Sequence, residues 1–448
     1  ALGHHQSRWS YRSEREVLAL ADDVRRHGIP TDAIHLDIDH MRGYRVFTWD
    51  PKRFPDPKRM TAQLAQQGLR AVAITDPGVK VDDDFALFRE GVEHDYFLRG
   101  RDGARFSLRL WPAASSFPDF ARPDFPTWGA RLHAPLLDAG VAGIWADMNE
   151  PAGWQRDLRF GTGIPLLRPG GAADFANATQ RALASEKDTV PHESVRNAYG
   201  LLQARASRAA LESARPGERP FVLSRAGCQG VQRCAALWTG DSFSRFADLR
   251  ESVRMLLGLS VSGVAFCGAD IGGFAGSATP ELFARWMQIG ALYPFARTHS
   301  MWGGRRQEAW RFGRRVEAIA REALALRMRL LPYLYSLFHE AARTGAPVWR
   351  PLFFAFPADA ESVFCEDQVM VGPSLLAAPV LERGAREREV YLPPGVWLDW
   401  HDDARHVGPK RLVVPAPLER MPLFVRGGAA IATQSPELAT SVRPREPL

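Results

Sequence analysis

The chain has 448 residues, 46% hydrophobic and 24% charged, a mix typical of folded globular proteins that excludes a disordered or fibrous polymer. Its net charge of +6 is scattered among Asp and Glu without an aromatic-plus-basic motif, so no nucleic-acid partner is expected. No apolar run reaches the ~18 residues of a membrane span, and the four cysteines show neither CxxC spacing nor disulfide density, so the expectation is no membrane contact and a reducing, cytoplasmic setting.

The opening ALGHH reads as the tail of a barrel strand truncated at its start. REVLALADDVRRHG follows, with apolar residues at helical spacing and Gly at the stop. Seven short apolar runs then recur: AIHLDID ending near Asp37, LRAVAITD at Asp76, VAGIWAD at Asp147, PFVLSR at Arg225, AALWTGD at Asp241, GVAFCGAD at Asp270 and ALYPFARTH at His299. Such runs suit strands buried on both faces, and intervening patterns such as PKRMTAQLAQQG supply the crossover helices that parallel strands need. With the opening residues as the eighth strand, the pattern predicts an α/β fold, a (β/α)8 TIM barrel with its first strand truncated.

Two intervals break the rhythm. Fifteen residues separate Arg225 from Asp241, which predicts a helical turn in place of a crossover helix. The Gly- and Pro-bearing stretch 151–190 predicts a mobile loop insertion over the barrel mouth. After His299 a long helix is expected over Arg314–Thr344. The text then turns to LLAAPVL, REVYLPPG, VWLDW, RLVVPAPL and PLFVRGG, which is all-β language. The predicted division is a catalytic barrel over 1–344 and a C-terminal β-sandwich over 345–448.

In such barrels the reactive groups stand at the carboxyl ends of the strands. Five of the seven runs end on Asp. A single Asp there is readily a helix cap, but five, with Arg225 and His299, are hard to explain as caps alone. Glycoside cleavage needs two carboxyl groups flanking the scissile bond, and aromatic faces suit sugar C–H groups and a developing positive charge. Trp9, Trp111, Trp145, Trp238 and Phe274 lie within a few residues of these strand ends. His35, Asp37, Asp39 and His40 resemble a metal cluster. Strand alternation would place Asp37 and Asp39 on one face and His40 on the other, so no metal is expected.

With WADMNEP at Trp145–Pro151 and WTGD at Trp238–Asp241, accompanied in order by HLDIDHM, LRLWP, RAG at Arg225–Gly227, GADIGGF and YPFARTH, the chain resembles glycoside hydrolase family 31, and in its DMNEP form the α-glucosidase branch. The resemblance extends to PLFF and VYLPPG in the β region and so covers nearly the whole chain. It implies a retaining, exo-acting α-glucosidase that hydrolyses terminal non-reducing α-linked glucose from malto- or isomalto-oligosaccharides by double displacement. Asp147 would be the nucleophile and Asp241 the general acid/base. Asp37, Arg225 and His299 would hold glucose hydroxyls, within walls of Trp9, Ile74, Trp111, Trp145, Met148, Trp238 and Phe274. Asp270 and Arg297 would support this shell, and Glu150 would orient the nucleophile or cap a helix. No cofactor is implied, and the partner is the oligosaccharide itself, with a homo-oligomer left open.

Two departures from the family pattern bear on specificity: His40 stands where Tyr is usual, and Ser242–Phe243 replace a small polar pair after WTGD. Family members also include α-xylosidases and α-glucosyl transferases, which the same residues would serve. A non-catalytic carbohydrate-binding barrel is the reading that the two reactive carboxylates count against.

Overall fold

The computed structural model describes residues 1–100, 102–159, 165–168, 178–181 and 189–442. All seven apolar runs and the opening residues form parallel strands of one sheet. They are β1 (His4–Gln6), β2 (Ala33–Leu36), β3 (Arg70–Thr75), β4 (Gly143–Ala146), β5 (Phe221–Ser224), β6 (Ala236–Trp238), β7 (Cys267–Gly268 and Asp270–Ile271) and β8 (Ala296–Thr298). β7 comes in two pieces divided by Ala269: the first pairs with β6, the second with β8. Counting the pieces separately gives nine strands, and because the two ends of that sheet are neighbours in the chain, the barrel is nearly closed.

The first strand is as long as β6 and β8. It pairs on both sides, with His5 opposite Ala33 of β2 and opposite Arg297 of β8, so neither of its edges is open. Its side chains fill the barrel floor: His5 Nδ1 lies 2.9 Å from His35 Nε2, and its ring packs on Phe221 and Phe295.

The helices form where the pattern places them. Over Glu14–Arg26, Val17, Leu20, Ala21 and Val24 are buried on one stripe, and the Ser13 hydroxyl caps the start by accepting from the Glu16 N–H. Asp56 does the same for Pro57–Gln66. The short interval between β5 and β6 holds only a 3-10 turn, Val231–Arg233. Between β3 and β4 a hairpin of Ser107–Leu110 and Ala113–Ser116 turns at Trp111 and Pro112.

The single helix expected over Arg314–Thr344 is two, Arg314–Arg329 and Leu331–Thr344. Pro332 has no N–H to continue the ladder, and its ring disfavours helical geometry at the residue before it, so the helix restarts with Pro in its first turn. Of the interval 151–190, strands Gly153–Arg159 and Pro165–Arg168 pair with each other, and Ala178–Arg181 pairs with Thr189–Pro191. The remaining residues of that stretch, and with them the expectation of a mobile loop over the mouth, lie outside the described residues.

The C-terminal part is all-β as expected, and its described strands form one six-stranded antiparallel sheet. Alternation along the strands divides their side chains between two cores. Val369, Val371, Leu375 and Ala377 join the core of the barrel helices, while Met370 and Leu376 point the other way into a cluster with Leu352, Val390, Trp397 and Phe424. Helix Pro280–Gly290 lies in the seam, every residue from Leu282 to Gly290 buried.

Candidate active site

The carboxyl ends of the strands surround a cavity of about 220 Å³. Asp147 stands one residue past β4, its N–H donating to Thr75 O at 3.3 Å. Its carboxylate accepts from the Met148 N–H at 2.7 Å and pairs with Arg225 Nη1 at 2.8 Å. Arg225, one residue past β5, is held in turn by Glu150, with Nε to Oε1 at 2.6 Å and Nη2 to Oε2 at 2.9 Å. This two-pronged contact fixes the guanidinium plane, so Glu150 orients Asp147 through Arg225. Met148 adopts a left-handed φ of 56°, strained for a residue with a long side chain, as the chain turns out of the barrel at this point. Its sulfur lies 3.2 Å from Arg225 Nη2.

Across the cavity stands Asp241, following β6. Behind both carboxyls lies a second ion pair, Arg297 Nη2 to Asp270 Oδ1 at 2.8 Å, with both side chains wholly buried. The Arg297 guanidinium carbon sits 4.7 and 4.8 Å from the rings of Trp145 and Trp238, which meet each other edge-on at 5.9 Å. His299 packs between Trp145 and Phe274. Its Nδ1 is 2.8 Å from Ser7 Oγ, and its Nε2 is 4.0 Å from Asp37 Oδ2, so the imidazole edge and the Asp37 carboxyl open into the cavity side by side. Trp9 and Trp111 meet at 5.2 Å at the rim.

All twelve residues expected to react with or contact sugar line this one cavity: Asp147, Asp241, Trp9, Asp37, Ile74, Trp111, Trp145, Met148, Arg225, Trp238, Phe274 and His299. Of the three expected in support, Asp270 and Arg297 lie beneath it, and Glu150 lines an adjoining cavity that shares Arg225, Trp238 and Asp241. Sequence reasoning passed over Ile38, Asp76, Ala275 and Met301, which line the same cavity. Asp76 carried the signal that found the others, an Asp closing an apolar run.

The electrostatics separate the carboxyls. Asp147 is raised from the ordinary Asp value by burial, against the pull of Arg225. Asp241 reaches solvent in the open cleft, yet the protein crowding around it and the charge of Asp147 push it up to about 7 against the pull of Arg225. A substrate that displaced the remaining water would strengthen that rise. For Glu150 burial is overcome by the charge and hydrogen bonds of Arg225, and its value falls below normal. His299 is driven well down by burial and by Arg297, and is therefore neutral. One neutral acid facing one paired carboxylate is the division of labour that general acid and nucleophile require.

The His35–His40 segment is not a ligand cluster. β2 ends at Leu36 and Ile38–His40 is a 3-10 turn, so the alternation argument does not apply. Asp39 pairs with Arg53 at 3.1 Å, and His40 Nδ1 donates to Asp37 O at 2.9 Å. Among the described residues no group of three or more His, Cys, Asp or Glu side chains is placed to hold a metal ion.

Residues 1–337 match the model of the glycosyl hydrolases family 31 TIM-barrel domain, and residues 345–431 that of the family 31 C-terminal domain. Alpha-glucosidase 2 of Bacillus thermoamyloliquefaciens is 41% identical over 432 residues, covering 96% of this chain and 53% of the relative. A crystal structure of the glucosidase II alpha subunit bound to Glc1Man2 superposes with a TM-score of 0.89 at 32% identity, over 98% of this chain and 47% of that one. A family 31 dextranase of Flavobacterium johnsoniae complexed with glucose gives 0.88 at 28% identity, over 98% and 53%. The chain thus spans about half the length of these relatives.

Proposed function

The chain belongs to glycoside hydrolase family 31, and from that footing we propose that it carries the catalytic centre of a retaining, exo-acting α-glucosidase that hydrolyses terminal non-reducing α-linked glucose from malto- or isomalto-oligosaccharides. The observation that carries this reading is the pair of unequal carboxyls on one cavity, Asp147 anchored to Arg225 at 2.8 Å and Asp241 with a pKa near 7.

In the first step an Asp147 oxygen attacks the anomeric carbon while Asp241 gives its proton to the glycosidic oxygen. The bond to the leaving sugar breaks, and a β-glucosyl ester forms on Asp147. In the second step Asp241, now a carboxylate, takes a proton from water. The oxygen of that water displaces Asp147 from the same face the leaving group used, and α-glucose results. Arg225 and Glu150 keep the nucleophile aimed. The planes of Trp145 and Trp238, backed by the buried Arg297–Asp270 pair, give the developing oxocarbenium ion an apolar wall. Asp37 and His299, side by side on the cavity, provide an acceptor and a ring N–H for the hydroxyls of a terminal glucose, and an unpaired polar group left by a wrong epimer would be costly.

The test is proton NMR of maltose hydrolysis before mutarotation, with Asp147→Asn as control. Initial α-glucose, lost in the variant, is expected; initial β-glucose would overturn the double displacement. Transfer of glucose to a second sugar is a second reading, favoured by the exposed Phe243 ring at the rim beside Asp241. Product analysis at high maltose separates the two.

A further inference from the structure

Asp76, one residue past β3, is 5% exposed and lines the cavity with Asp147. Its Oδ1 is buried without a hydrogen-bond partner, and among the described residues no N–H or cation is recorded in contact with its carboxyl. On its other side a void of about 10 Å³ is shared with Gln203 and His133. Neither is hydrogen-bonded to its buried Oδ1. The Gln203 amide N–H is directed to Thr75 O at 3.2 Å, leaving its own Oε1 unpartnered. The His133 ring is occupied by Gly129 O and Ser207 Oγ.

The titratable groups facing Asp76 are Asp147, Glu150, Arg225 and Asp37. The one cation among them, Arg225, is already committed to Asp147 and Glu150. A further anion there would be a buried charge without a counterion, which proteins avoid by keeping the proton. We propose that Asp76 is a further sugar-contacting, specificity-determining residue that acts as a neutral carboxylic acid and donates its O–H to a hydroxyl oxygen of the bound glucose. Burial, with the charge of Asp147, pushes its pKa up to about 8 against the pull of Arg225, so the proton is retained where Asp147 is ionised. Burial drives Asp37 well above the ordinary Asp value too, but one of its oxygens already accepts the Ile38 N–H at 2.7 Å, a contact that Asp76 lacks.

This proposal rests on the glucosidase reading, and its test keeps the two apart. In protein labelled with [4-13C]aspartate, the carboxyl resonance missing from Asp76→Asn should remain in the protonated range at pH 6 to 7, titrate above pH 7, and move when D-glucose is added. An ionised signal at pH 6, or one indifferent to glucose, would overturn the proposal whether or not the protein cleaves anything. In kinetics on 4-nitrophenyl α-glucoside, Asp76→Ala should lose tenfold or more in kcat/KM, and Asp76→Asn, which keeps an N–H donor of the same size, should recover most of it. The loss should shrink for whichever monodeoxy glucoside lacks the contacted hydroxyl. Equal losses in both variants across the whole deoxy series would also sink the idea, while a wild type inert to every α-glucoside would defeat the glucosidase reading and leave the resonance to decide the state of Asp76.

Discussion

Arginines hold both the mouth of the barrel and the seam between barrel and sheet, but they hold them differently. Arg225 at the mouth faces carboxylates and a cavity, and its side chain is 11% exposed. Arg285 in the seam and Arg327, which ties a barrel helix to the start of the barrel strands, are buried, and among the described residues their hydrogen bonds go to backbone carbonyls. Arg285 donates to Pro417, Arg420, Ala385 and Ala416, and Arg327 to Leu2, Ala291, Tyr293 and Pro294. Among the described residues no carboxylate pairs with either, and burial pulls both arginines down to about 10, whereas Asp147 and Glu150 outweigh burial and hold Arg225 higher than normal. Carbonyl dipoles make a staple without net charge. Carboxylates make a site whose charge can change during a reaction, and only the second arrangement can do chemistry.

The contrast breaks most severely at Asp147. Replacing it with Asn keeps the shape and the Met148 contact but removes the proposed nucleophile, and kcat should fall on the order of 10⁴-fold or more. With a buried negative charge removed, thermal stability should change little, and circular dichroism checks that. Asp241→Ala ranks next, with a loss of about 10²- to 10⁴-fold on substrates whose leaving group needs a proton. The loss should be far smaller with α-glucosyl fluoride, because fluoride leaves unaided. The wild-type rate should fall as pH rises through about 7, because Asp241 must hold its proton to act as acid. At the acid end it should fall as Asp147, whose value is raised, takes one up. A wild-type profile flat from pH 6 to 9 would contradict this assignment.

At the seam the prediction concerns stability instead of rate. Arg285→Met leaves four carbonyl groups short of a donor in a closed interface, and a loss of about 3 kcal/mol or more is expected. Urea denaturation would measure it, with kcat per folded molecule unaltered. A rate loss matching that of the mouth variants would show the two regions to be coupled.

The same division runs through what the sequence made legible. Every barrel strand could be read, because parallel strands buried on both faces leave short apolar runs, and the polar cavity residues Asp37, Asp147, Arg225, Asp241 and His299 could be read because each closes such a run. The stapling role of Arg285 and Arg327 could not, since their partners are carbonyls of residues whose side chains carry no sign of it. The break at Pro332 was visible in principle, but the apolar spacing on either side of it continues, so periodicity alone joined the two helices. The C-terminal part was legible as all-β from its short runs broken by Pro and Gly, but strand text does not say that the barrel helices cover one face of its sheet. Asp76 was legible as a run-ending Asp and was passed over for want of a role.

The smallest effect is expected at the rim. Phe243 stands two residues past Asp241, lines the same cavity and is 43% exposed. Its backbone is pinned: its N–H donates to Asp248 Oδ1 at 2.9 Å, and Ser242 and Ser244 bond Ala275 on either side of it. The Arg245 guanidinium lies 4.5 Å from the ring centroid, itself tied to Asp248 at 2.7 Å. A sugar in the leaving-group position could pack its C–H groups against the exposed part of the ring, for about 0.5–1.5 kcal/mol. Phe243→Ala should therefore lower kcat/KM for maltose by roughly two- to tenfold, with a smaller fall for α-glucosyl fluoride, which brings no second ring. Because the acceptor in transfer occupies the same place, the ratio of trisaccharide to glucose formed at high maltose should fall with it. An unchanged ratio beside a lowered rate would mean that Phe243 serves the leaving sugar alone, and an unchanged rate on both substrates would remove it from the acceptor side of the mouth altogether.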